Sequence, residues 1–96
     1  MSRLLAAAVG CAAVVAAVAA SAEPPPGATA CSGCHPAAAG VRSPVPRLAG
    51  LDPAVIVRAM QEFRAGKRPA TVMDRIARGF TDKEIQAIAA WYGAQR

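Results

Sequence analysis

The sequence predicts a small all-α domain, and three observations carry that prediction. No stretch alternates apolar and polar residues in the manner of a half-buried strand. Two stretches instead place apolar residues at helical spacing: Val55, Ile56, Ala59, Met60 and Phe63 in one, Ile85, Ile88, Ala89 and Tyr92 in the other. Each opens on a helix start signal, Asp52-Pro53 for the first and Thr81 followed by Glu84 for the second.

Residues 1–22 read as a secretory leader rather than as part of that domain. Met1, Ser2 and Arg3 give a short positive start, and Leu4 to Ala20 is an apolar run of 17 residues, mostly Ala and Val. Ala20, Ser21 and Ala22 form an A-x-A cleavage site, which makes Glu23 the expected mature N-terminus. A membrane anchor competes with this reading, but the run sits at the short limit of a span and alanine is weakly apolar. The expectation is therefore an exported, periplasmic protein with no stable membrane anchor after cleavage. Removing these residues from the 96 leaves 74, of which 23–28 form an extended Pro-rich tail and 29–96 the domain.

The elements of the domain follow in order. Ala28 to His35 can form a short helix with Thr29 as cap, and Pro36 closes it. Gly40, Pro44, Pro46 and Gly50 break any periodicity, so 40–50 is a loop. The first clear helix starts at Asp52 and Pro53 and stops near Ala65, before Gly66. Val55, Ile56, Ala59, Met60 and Phe63 face the core, while Arg58, Gln61, Glu62 and Arg64 face water. A second loop, 66–71, precedes a short helix or turn over 72–78 that ends at Gly79. The last helix runs from Asp82 to about Ala94, with Trp91 at the edge of its apolar stripe.

Within the first short helix lies Cys31-Ser32-Gly33-Cys34-His35, the attachment signature of a c-type haem. Two intervening residues let both cysteine sulfurs form thioethers with the two vinyl groups of one macrocycle. His35 follows at once and comes up beneath the iron as proximal ligand. A thioredoxin-like redox pair would need an α/β context, which the sequence lacks. A zinc site would need about four ligands, and no Cys or His follows His35. Chance occurrence is the remaining alternative. Composition agrees with haem, because one Trp, one Tyr and two Phe make a thin core. A domain of this size ordinarily needs such a staple.

The other face of the iron decides between electron transfer and ligand binding. Met60 lies on the apolar stripe of a helix and reads as a core side chain. Met73 follows a loop that can fold over the haem face, and it is the expected sixth ligand. Charge excludes little. Without Arg3, ten Lys and Arg face six Asp and Glu, a formal +4. Nucleic acid is a poor inference, since no basic stripe interleaves with aromatics. An acidic protein partner is the better use of that charge.

Four segments carry a family resemblance: Cys31 to His35, Val45-Pro46-Arg47-Leu48-Ala49-Gly50, Pro69-Ala70-Thr71-Val72-Met73, and Ile76-Ala77-Arg78-Gly79-Phe80. Together they resemble a class I monohaem cytochrome c, most of all the cytochrome subunits of flavocytochrome c sulfide dehydrogenases and single cytochrome c4-type domains. The resemblance implies three to four helices wrapped around one covalently bound haem c. It implies Cys31 and Cys34 as attachment points, His35 and Met73 as axial ligands, and the Pro46 carbonyl as acceptor for the second nitrogen of His35. It also implies that the last helix crosses the first. Two departures stand out. The first helix is cut to little more than a turn, and Pro36-Ala37-Ala38-Ala39-Gly40 replaces a turn rich in Gly, Asp and Asn.

The expected role is single-electron transfer without catalysis by this chain, as the haem subunit of a flavoprotein dehydrogenase acting on sulfide. One alternative is a freestanding periplasmic shuttle to a terminal oxidase. Another, of a different class, is a ligand-binding or peroxidase-like haem protein with an open sixth site. Arg42, Arg47, Lys67 and Arg68 are the expected charges near a docking partner.

Overall fold

The computed structural model describes residues 9–14 and 23–96. Most of the expected leader, 1–8 and 15–22, lies outside the described residues; 9–14 are exposed and irregular. Among the described residues no helix is long and apolar enough to cross a membrane. The described chain is all-helical, with α1 (Ala28–Cys31), α2 (Pro53–Arg64), α3 (Met73–Ala77) and α4 (Asp82–Ala94). This matches a small all-α cytochrome c fold. Helix α2 packs against α3 and α4, and α1 packs against α4.

Helix boundaries follow from local chemistry. Asp52 caps α2 by accepting from the Ala54 amide at 2.9 Å, and Pro53 occupies the first position, where its missing N–H costs nothing. At the other end Gly66 adopts φ +71°, and the amides of Gly66 and Lys67 bond back to the carbonyls of Phe63 and Glu62. That pair of reversed bonds satisfies two orphan carbonyls and turns the chain sharply. Thr81 and Glu84 form a reciprocal capping box at the start of α4. Helix α1 departs from expectation: Gly27, not Thr29, is its cap, with φ 85° and no side-chain cap bond. The reason is space. A Cβ on Gly27 would lie 2.6 Å from the Phe80 ring, so only glycine lets the chain enter α1 this close to the rest of the domain.

The buried cluster joins Ala28, Ile56, Ile88, Ala89 and Tyr92, with Cys31, Leu48, Leu51, Val57, Met60, Phe80 and Trp91 partly buried around it. The α4 stripe lies as the periodicity predicts. Of the expected α2 stripe, Ile56 is buried and Ala59, Met60 and Phe63 are partly buried, while Val55 is 53% exposed; Val57, which the periodicity assigned to neither face, packs on the cluster. Two side chains expected in water are also held. Arg64 donates to the Phe80 carbonyl at 3.1 Å and pairs with Asp82, and Glu62 is half-buried between Arg58 and Arg68. Arg64 thereby ties the end of α2 to the start of α4.

The close approach of α4 to the loop before α2 depends on Gly93. A Cβ there would lie 2.7 Å from the Pro53 ring and 2.9 Å from the Leu51 carbonyl oxygen. Helix propensity favours alanine over glycine by about 1 kcal/mol. Overpacking against backbone opposes it, at about 1–3 kcal/mol. Gly93→Ala is therefore expected to lower the denaturation midpoint, which chemical denaturation followed by circular dichroism measures.

Candidate functional site

The haem-attachment segment winds as one tight turn. Helix α1 ends at Cys31, and the amides of Cys34 and His35 both bond to the Cys31 carbonyl, at 3.2 and 2.9 Å. Ser32 turns outward and donates its hydroxyl to the Thr29 carbonyl at 2.6 Å. Cys31 is half-buried and Cys34 exposed, and neither forms a disulfide. Burial pushes the Cys31 thiol up, outweighing its hydrogen bond with Tyr92.

His35 is fixed from the loop across. Its Nδ1 lies 2.5 Å from the Pro46 carbonyl oxygen, the contact the resemblance implies. A carbonyl only accepts, so Nδ1 carries the proton. In the neutral ring Nε2 then presents its lone pair, the form that binds a metal. The acceptor loop is itself tied at several points. Ser43 Oγ accepts from the Val45 amide at 3.1 Å, Arg47 Nε donates to the Ala37 carbonyl at 2.7 Å, and the Gly50 amide donates to the Tyr92 carbonyl at 3.0 Å. The role of Arg47 in this tie was not expected from sequence. A guanidinium bonded to a backbone carbonyl ten residues away leaves no periodic signal.

Tyr92 connects these parts. Its hydroxyl donates to the Ala28 carbonyl at 2.5 Å, and its ring meets Trp91 edge-on, with centroids 4.8 Å apart. Burial, followed by the nearby Cys31, pushes the Tyr92 phenol up.

The two methionines sit on different elements. Met60 lies on α2, partly buried against the core cluster, as a packing side chain would. Met73 is the first residue of α3 and is half-buried. The loop before it is anchored to α2. Arg68 bonds Glu62 at 3.0–3.1 Å and lies over the Phe63 ring at 5.5 Å, and Arg58 bonds Glu62 from the other side at 2.9 Å. Of the expected docking charges, Arg47 and Arg68 are thus engaged within the chain, while Arg42 and Lys67 are exposed.

A cleft of about 210 Å³ touches His35, Ser32, Leu48, Trp91 and Gln95. It is smaller than the roughly 300–1,000 Å³ of ordinary cofactor pockets. It reads as a seam between α1, the 46–50 loop and α4, not as a cofactor pocket.

No family model matches the chain. Curated proteins do. The chain is 40% identical over 63 residues to the cytochrome subunit of sulfide dehydrogenase of Chlorobaculum tepidum, a match covering 66% of this chain and 57% of that protein. It is 40% identical over 67 residues to a thiosulfate dehydrogenase electron acceptor of Stutzerimonas stutzeri, covering 68% of this chain and 31% of that one. A protein of the same name in Thiomonas intermedia is 37% identical over 73 residues, covering 72% and 34%. The chain thus spans little more than half the length of the first relative and about a third of the others. These similarities support a cytochrome c family, and cytochromes imply haem.

The residues present fit that group. Two cysteines that form no disulfide stand one turn apart, the neighbouring imidazole is held in the metal-binding tautomer, and a thioether is available on α3. Val41, Val55, Val72 and Ile76 are 42–55% exposed, so apolar surface remains for an apolar group to cover.

The Glu62 anchor makes a pH prediction. Its hydrogen bond with Arg58 and the charge of Arg68 hold the carboxyl below the usual carboxylate range. A depressed carboxyl contributes stability fully present above its unfolded pKa and lost as pH falls through the folded value. Glu62→Gln is expected to be less stable than wild type at neutral pH, with the difference shrinking below about pH 4. Thermal melts across that range check it.

Proposed function

We propose that this chain is an exported electron-transfer cytochrome with one haem c. The observation that supports it most is the Cys31-Ser32-Gly33-Cys34-His35 turn, with the His35 Nδ1 proton held by Pro46. Cys31 and Cys34 would hold the haem through thioethers, and His35 and Met73 would be its axial ligands. The haem, when bound, supplies a one-electron couple. The protein's own contributions are to fix the His35 tautomer, to present the Met73 sulfur, and to surround the group with apolar side chains. We also propose cleavage after Ala22 and a periplasmic location, on the strength of the leader pattern. Intact-mass measurement of protein from the periplasm is expected to give the chain from Glu23 plus one haem. A mass without haem, or haem removable by acidified organic solvent, would overturn covalent attachment. A retained leader would overturn cleavage.

Ligation by Met73 has its own test. Met73→Ala is expected to let the ferrous protein bind carbon monoxide and to lower the reduction potential, because thioether ligation raises it. Met60→Ala is expected to cost about 1–2 kcal/mol of stability, below the range for a fully buried methionine. Carbon monoxide binding by the Met60 variant instead, with Met73→Ala inert, would reverse the assignment. Carbon monoxide binding by wild type would favour the open-site reading.

The partner we propose is a dehydrogenase of reduced sulfur compounds, with a flavoprotein acting on sulfide as the first reading. The sulfide dehydrogenase subunit among the relatives supports it. The thiosulfate dehydrogenase acceptors support a second reading, in which the donor oxidises thiosulfate. Co-purification from the native periplasm, followed by haem reduction with sulfide or thiosulfate, separates them. Equal reduction by unrelated donors would leave a general shuttle.

A further inference from the structure

We infer that Arg47 is a positioning residue for His35, holding the Pro46 carbonyl on the imidazole; the inference rests on the haem ligation proposed above. Arg47 Nε donates to the Ala37 carbonyl at 2.7 Å, and the neighbouring Pro46 carbonyl accepts from His35 Nδ1 at 2.5 Å. Ala37 lies two residues after His35, and Arg47 one after Pro46. The two hydrogen bonds therefore close a ring, from His35 through Pro36 to Ala37, across to Arg47, and back through Pro46 to His35. One bond alone would leave the loop free to pivot about the carbonyl. The second bond removes that pivot.

The surrounding sequence explains why a side chain does this work. Residues 36–37 and 46–48 carry no regular secondary structure. Pro36 and Pro46 have no N–H to donate, and Ala37, Ala38 and Ala39 have no polar side chain. The guanidinium supplies a charge-assisted donor where the backbone lacks one. The Arg47 side chain is partly buried, and its bond to Ala37 lies at the surface. Downstream the Gly50–Tyr92 bond ties the loop to α4, while the Ser43–Val45 bond is local to the loop; Arg47 ties the middle, beside the acceptor. A firmly held carbonyl keeps Nδ1–H bonded and Nε2 basic, which favours the ferric state.

The test uses the holoprotein with haem attached, and two readouts. One is hydrogen exchange of the His35 Nδ1 proton by NMR in the ferrous state; the other is the reduction potential. Arg47→Gln is expected to speed that exchange by up to about tenfold, the scale of one net hydrogen bond. Arg47→Lys keeps the charge but loses the planar fork. It is expected to give an intermediate exchange rate and a raised potential. Arg42→Gln, the same charge loss in the same loop, is expected to exchange as wild type does. Wild-type exchange in Arg47→Gln, or equal acceleration in Arg42→Gln, overturns the inference. If Arg47→Gln does not accumulate, Arg47→Lys decides: wild-type exchange and potential overturn the inference. Wild-type protein that takes up no haem overturns the proposed function and this inference together. The other failures overturn the inference alone.

Discussion

The domain is organised around the way Tyr92 joins two segments that have little structure of their own. Through its hydroxyl it holds the Ala28 carbonyl, and so the four-residue helix that ends at Cys31. Through its own carbonyl it holds the Gly50 amide, and so the loop that presents Pro46. Helix α1 is too short to be stable by itself, since a helix below about 12 residues is marginal in water. The 40–50 loop has no ladder at all. Both sides of the His35 contact therefore take their position from one buried residue of α4, the longest helix described. Gly27 and Gly93 serve the same arrangement, since each permits an approach that a Cβ would block.

The core these ties enclose is small. Among the described residues the fully buried side chains are mostly alanine and isoleucine, and Ile85 is the one large side chain below 2% exposure. Hydrophobic stabilisation scales with apolar area removed from water, and this set removes little. Val55, Val72 and Ile76 meanwhile stand exposed on α2 and beside Met73. In a domain of this size a bound apolar group is an expected remedy. The same reasoning accounts for the exposure of Val55. Periodicity counts Val55 as core-facing because it is apolar, but it does not say whether the apolar face meets protein or a cofactor.

What was legible in the sequence was local. The Asp52-Pro53 start, the Thr81–Glu84 box, the limits of α4 and its buried stripe all rest on interactions within four residues. The Cys31–His35 motif was legible for the same reason, and the resemblance supplied the Pro46 contact that spacing could not. What was not legible joins distant residues. Arg64 with Phe80 and Asp82, Arg47 with Ala37, and Arg68 with Glu62 across the turn at Gly66 are all side-chain ties across loops. An arginine in sequence reads as solvated, because nothing local shows which carbonyl or carboxylate its long side chain will meet. The Thr29 cap failed differently: the residue type was right for a cap, but the packing of Phe80 placed glycine there instead.

Those ties also change how the positive charge should be weighed. The net charge of +5 suggests a generous basic surface, yet Arg47, Arg58, Arg64 and Arg68 all have partners within the chain. Three of them face two carboxylates, Glu62 being shared by Arg58 and Arg68, which offsets two of the three charges locally, and Arg47 is committed to a carbonyl. The field an acidic partner would meet thus comes largely from residues such as Arg42 and Lys67, which are exposed. Exposed charges act mainly on association rate and are screened over about 10 Å at ordinary salt. Affinity then has to come from elsewhere, and the exposed apolar side chains around Met73 are the better source, to the extent that haem leaves them uncovered. The proposed contact with a redox partner is therefore weakly steered by a few cations and closed by apolar side chains near Met73.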